Sequence, residues 1–109
     1  MEKVLSTLQK FAETYPTGFT VSLTNLTLVK SGWVVAKKET QNCFGLQGLK
    51  KAYEVAIKTS KTLGGWQDGE LFYWDCVMVF HDEQQSTQAG IENEQRAIYH
   101  LDTGRLKWL

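Results

Sequence analysis

An aspartate interrupts the most apolar run of the chain, Leu71-Phe72-Tyr73-Trp74-Asp75-Cys76-Val77-Met78-Val79-Phe80. A carboxylate there sits at a sheet rim, accepts a hydrogen bond from a buried partner, or does acid–base chemistry, because an unpaired charge is too costly to keep in an apolar interior. As an acid or base, Asp75 would need companions that reach the same substrate. Glu39, His81 and Gln95 are the candidates, and they qualify only if they lie within about 10 Å of it. A small enzyme built around Asp75 is therefore one function class to test.

Nucleophilic catalysis has little to work with. The thiols are Cys43 and Cys76 and the imidazoles His81 and His100. Cys76 and His81 are five residues apart at a strand end, which places them on opposite faces. A pairing of Cys43 with His100 stays open, although no spacing favours it. The two cysteines match no zinc or redox pattern and are too few for a disulfide framework, so buried free thiols are expected. The acidic residues are scattered, and Gly45-Leu46-Gln47-Gly48-Leu49-Lys50 has neither the spacing of a phosphate-binding loop nor a Ser or Thr after its lysine. No metal and no cofactor is expected, and no residue is assigned a catalytic role.

Binding has more support. Twelve basic residues balance twelve acidic ones, but they are segregated. Up to Thr62 there are nine Lys against four Glu, about +5; beyond it, three Lys or Arg face eight Asp or Glu, about −5. A positive and a negative face steer different partners even when the total is neutral. Lys37, Lys38, Lys50, Lys51, Lys58 and Lys61 would form one patch if the second helix packs beside the second strand, and such a patch would neutralise phosphates. A pI near 6.7, arginine only at Arg96 and Arg105, and the lack of a recognition helix weigh against nucleic acid. The same lysines serve equally as a solvated helix face. Trp33 and Trp74 lie in predicted strands and belong to the core, whereas Trp66 and Trp108 are harder to bury and either fit an interface or cap the core. The expected binding residues are Lys37, Lys38, Lys50, Lys51, Lys58 and Trp66.

The elements that position these residues follow from periodicity. Val4, Leu5, Leu8, Phe11, Ala12 and Tyr15 recur at helical steps, so a helix over 2–15 ends at Pro16 and Gly18. Phe19, Val21 and Leu23 alternate as a strand, and Trp33 to Ala36 form a second after the Ser31-Gly32 turn. Leu46, Leu49, Tyr53, Ala56 and Ile57 give the buried face of a helix from about Phe44 to Thr62, closed by Gly64-Gly65. Residues 66–80 open with an Asp-Gly turn and continue as a long central strand, apolar on both sides and thus covered on both for part of its length. Asp82 caps a short helix to about Asn93, with Gln85 three residues on; its weak apolar face points to a mobile element across the sheet or at its edge. Residues 97–101 and 106–109 form two closing strands around Asp102-Thr103-Gly104.

The order is α-β-β-α-β-α-β-β over one domain, residues 1–109. This is an α+β fold with a mainly antiparallel or mixed sheet, two main helices and one short one on one face. A hydrophobic fraction of 42% and a charged fraction of 22% suit a globular chain of this length. No apolar run is long enough to cross a bilayer and the first residues lack a secretory signal, so a cytoplasmic protein with no membrane partner is expected.

Gly32-Trp33-Val34-Val35-Ala36 with Glu39-Thr40-Gln41, Gly45-Leu46 through Gly48-Leu49-Lys50-Lys51-Ala52, Gly64-Gly65-Trp66, and Asn93-Glu94-Gln95-Arg96-Ala97-Ile98-Tyr99 together resemble a family of small uncharacterised proteins from phages and mobile elements of gut bacteria. The resemblance spans residues 18–101. It implies an accessory protein that binds a host- or element-encoded macromolecule, and carries over no activity or site residue. The expected function is non-enzymatic binding, to another protein or to a second copy, through the lysine face or the Trp66 region. Nucleic-acid association through the lysines is the alternative, and the Asp75 enzyme is the third.

Overall fold

The computed structural model describes residues 2–109. The first apolar stripe winds as α1 (Glu2–Thr14), and its Leu5 and Leu8 are buried. Three strands follow, β1 (Phe19–Ser22), β2 (Thr27–Leu28) and β3 (Trp33–Ala36), then a 3-10 turn at Lys38–Thr40 and α2 (Gly45–Lys58). β4 (Thr62–Asp68), β5 (Leu71–Phe80), α3 (Glu83–Glu92), β6 (Ala97–His100) and β7 (Arg105–Trp108) complete the chain. The strands form one antiparallel sheet in the order β2-β1-β4-β5-β3-β6-β7, with β5 at its centre.

Register decides which side chains share a face. Val21 pairs with Leu63, and Leu63 with Cys76, so these three and Trp74 project to one side. There they meet Leu5 and Leu8 of α1 and Leu49, Ala52 and Ala56 of α2 in the main core. Across β3 the same face carries Val35 opposite Met78, and it continues to Ile98 of β6. α3 packs on it so closely that a Cβ at Gly90 would stand 2.9 Å from Ile98 Cγ2. Lys107, paired with Ile98, donates from the same face to Glu83 at 2.8 Å and Thr87 at 2.9 Å on α3. All three helices thus cover one face, the α+β layering the sequence predicts.

Five details differ from the sequence expectation. α2 ends at Lys58, four residues early, and Lys61 takes a left-handed φ of 55° while its N–H returns to Ala56 O at 2.7 Å. Gly64 and Gly65 do not close the helix; they lie in β4, where a Cβ at Gly65 would stand 2.5 Å from Phe72. Gly65 lets the Phe72 and Phe19 rings approach the β4 backbone. Residues 66–80 are accordingly the end of β4, a turn at Gly69 with φ 62°, and β5, a hairpin rather than one strand. With β2 added, the order becomes α-β-β-β-α-β-β-α-β-β. Finally, no helix covers the second face of β5, where Val77 is buried while Tyr73, Asp75 and Val79 are half-buried.

Candidate functional site

Because side chains alternate, the odd-numbered residues of β5 point away from the helices. Tyr73 stands opposite Trp66, and Asp75 opposite Gly64, whose lack of a side chain leaves the carboxylate a bare neighbour. On the other flank β3 stops at Ala36, but the chain keeps station along β5. Lys37 N–H donates to Cys76 O at 2.9 Å, Cys76 N–H to the Thr40 hydroxyl at 3.0 Å, and Trp74 N–H to Cys43 O at 2.7 Å. The buried Thr40 hydroxyl takes the place of a strand carbonyl, which satisfies the β5 amide while the backbone swings out. Asn42, at φ 62°, turns the chain back, and Phe44 then bridges to Tyr73.

The detour leaves a cleft of about 330 Å³ lined by Ala36, Lys37, Gln41, Asn42, Trp66, Asp68, Tyr73, Asp75 and Gln95. Trp66 stacks on Tyr73 with centroids 5.3 Å apart and planes at 24°, and Phe44 meets Tyr73 edge-on at 5.9 Å. Trp66 is nonetheless 45% exposed. Burial pushes the Asp75 carboxyl up to about 6, against the opposing effect of a hydrogen bond from the Trp66 side chain. Among the described residues no Lys or Arg nitrogen lies within 4 Å of it. Lys37, on the cleft wall, is turned to Glu39 at 3.8 Å.

The expected site residues scatter. Trp66 and Lys37 line the cleft, and Lys38 lies outside it, paired with Glu94 at 3.7 Å. Lys50, Lys51 and Lys58 are exposed on α2, which packs on the opposite face of the sheet, so the two halves of the expected binding surface are not joined. Of the companions proposed for Asp75, Gln95 shares its cleft. Glu39 is engaged by Lys37. His81 follows the far end of β5, six residues or about 20 Å along the strand, and lies against Gly32.

Neither thiol meets an imidazole. His100 stacks on Trp33 at 4.3 Å and bonds Thr103 at 2.9 Å, beside Asp102 at 3.3 Å. Cys43 lies near the other end of β5, opposite Trp74. Burial pushes the Cys43 thiol up, with Lys51 lowering it and Asp75 raising it, which leaves it protonated and unreactive near neutrality. Cys76 is buried against the hydroxyls of Thr59 and Ser60. Both thiols are free. Asp102 is held below the usual carboxylate range chiefly by the Gly32 N–H, which donates to it at 2.8 Å and pins the β6–β7 hairpin to the start of β3.

Tyr73, Asp68, Gln41 and Asn42 belong to the site without having been singled out from sequence. Tyr73 carried a signal, as the period-two neighbour of Asp75. A second recess of about 460 Å³ opens between α1 and the start of α2, walled largely by Ala12, Leu46, Leu49, Phe72 and Trp74. Among the described residues no cluster of three or more His, Cys, Asp or Glu is placed to hold a metal ion, and no helix is long and apolar enough to cross a membrane. No protein-family model, curated protein or solved structure matches the chain.

Proposed function

We propose that this chain is a non-enzymatic binding protein that recognises a basic segment of another protein with the open face of its sheet, centred on Trp66. The observation behind this is the aromatic character of a face that no helix covers. Trp66, Tyr99, Leu106 and Trp108 are exposed on it, with Tyr73, Val34, Ala36 and Val79 half-buried around them. A sheet solvated on one side normally alternates apolar-in and polar-out. Large aromatic side chains held outward on rigid strands are instead the anchors that protein interfaces use. Charge selects the partner's sign: Asp68 and Asp75 lie on this face, and the lysines of α2 lie behind the sheet.

Selection of a displayed random-peptide library against the immobilised chain tests the proposal. Enriched peptides should carry Lys or Arg, lose binding to Trp66→Ala, and bind a Lys50→Glu/Lys51→Glu/Lys58→Glu variant unchanged. No enrichment, or binding that follows the α2 lysines, overturns it. The exposed lysines of α2, free of ion pairs within 4 Å among the described residues, support nucleic-acid association as the second reading. That reading requires a gel shift that fades steeply with salt and disappears in the triple variant.

A further inference from the structure

Resting on that binding role, we infer that the cleft over Asp75 seats one cationic side chain of the partner, an arginine guanidinium in preference to a lysine ammonium, between the Asp75 carboxylate and the Trp66–Tyr73 ring pair.

The first support is an unmet charge. The chain holds 12 Lys and Arg, all among the described residues, yet none of these comes within 4 Å of Asp75. Lys37 shares the cleft and is turned to Glu39 instead. A carboxylate sunk in a cleft accepts up to about four hydrogen bonds, and the Trp66 side chain offers it a single N–H. The carboxylate also lines the open space, so a donor arriving from outside can reach it. Such a donor is best charged, because a charge-assisted bond offsets the desolvation that a neutral donor would leave uncompensated.

The walls specify the shape of that cation. Trp66 and Tyr73 present a flat, electron-rich pair, to which a planar guanidinium can stack as well as pair. Gln41, Asn42 and Gln95 line the same space, and the Gln95 amide nitrogen is spent on Asn93 O at 3.0 Å, which leaves its carbonyl oxygen to accept. A guanidinium has five N–H donors to distribute, whereas an ammonium has three and no plane. At about 330 Å³ the cleft is at the small end of ligand sites, suited to one side chain and its stem. Asp68 and Asp75 together repel an anion.

Ionisation couples to occupancy. The charged and titratable groups around the Asp75 carboxyl are Lys37, Asp68 and Tyr73 on the cleft walls and the Cys43 thiol behind. Burial raises the Asp75 carboxyl to about 6. Cation binding therefore strengthens as pH rises through about 6, and by reciprocity an occupied cleft lowers the pH at which Asp75 ionises.

The experiment is a ¹H–¹⁵N NMR titration of the full chain with N-acetyl-arginine amide and, in parallel, its neutral isostere N-acetyl-citrulline amide, at matched salt. At pH 7.5 the Trp66 indole N–H and the Tyr73 and Asp75 amides should move with the arginine compound, at least tenfold more tightly than with citrulline. At pH 5 that preference should shrink severalfold, and Asp75→Asn should abolish it. Equal binding of the two compounds means a neutral polar ligand and overturns the inference; so does no response, or shifts confined to α2. The citrulline comparison uses the unaltered protein and does not depend on the variant folding. If arginine fails while the selected peptides still bind through Trp66, the cleft inference falls and the binding role stands. If arginine fills the cleft but no peptide is selected, the guanidinium site stands and the protein-binding role falls.

Discussion

Trp74 and Trp66 sit on neighbouring strands of one sheet and do opposite work. Trp74 points to the helices, is 3% exposed, and meets Phe19 edge-on at 5.7 Å and Phe72 at 4.8 Å. Trp66 points the other way, stacks on Tyr73 and leaves nearly half its surface in water. The difference separates a face that holds the fold together from one that is free to bind. The largest expected effect follows. Trp74→Ala removes a packed indole and should cost about 3–5 kcal/mol in urea unfolding, whereas Trp66→Ala should cost less than about 1 kcal/mol and abolish peptide binding. Similar losses from both would mean that the open face is structural after all.

Asp75 sharpens the contrast, because it weakens the fold at the pH where it would bind. Its carboxyl ionises near 3.8 in the unfolded chain and at about 6 in the folded one. Between those values the folded state holds the proton more tightly, so stability falls as pH rises from about 4 to about 6 and then levels off. The span amounts to about 2–3 kcal/mol. Asp75→Asn keeps an acceptor for Trp66 and carries no charge. It should match the parent near pH 4, exceed it by up to that amount at pH 7.5, and flatten the profile between. A group whose neutral replacement stabilises the protein is placed for something other than folding. An unchanged profile would remove Asp75 from the site.

Much of this architecture was legible from periodicity. β3 spans Trp33–Ala36 as expected, and the Asp82 cap is seen accepting from Gln84 N–H at 3.1 Å. Asp75 stood out because it breaks an apolar run. What stayed hidden was the far wall of the cleft. Gln41 and Asn42 arrive through a 3-10 turn and a left-handed residue, where no repeat of 2 or 3.6 applies, and Gln95 comes from the loop before β6. The glycine pair misled, since Gly64-Gly65 is common after a helix and here lies within a strand, where Gly65 admits Phe72 and Gly64 admits Val77. The lysines misled differently: their spacing gave the exposed side of α2, but which face of the sheet α2 covers is a tertiary fact.

Gly48 links the two faces. It sits in the first turns of α2, where a Cβ would stand 2.4 Å from the Cys43 carbonyl carbon, a backbone atom that cannot rotate away. Gly48→Ala should therefore cost about 1–3 kcal/mol. It should also disturb the cleft, because Cys43 O accepts the Trp74 N–H beside Tyr73. The check is whether arginine-compound binding weakens together with the unfolding midpoint. If stability falls while binding holds, the detour from Lys37 to Phe44 is positioned independently of α2.

The smallest expected effect is on the lysine face, and it bears on where the charge asymmetry acts. Lys50, Lys51 and Lys58 project from α2 into solvent without ion pairs among the described residues. Exposed charges of this kind contribute little, and Lys58 in the last turn gains only the modest interaction of a cation with the helix C-terminus. Reversing all three should change stability by less than about 1.5 kcal/mol in total. It should leave binding at the Asp75 cleft within about twofold at moderate salt, since salt screens exposed charges that project from the other side of the sheet. A large loss of cleft binding in the reversed protein would show the field of the whole molecule reaching through the sheet, and the two faces would then act as one charged surface.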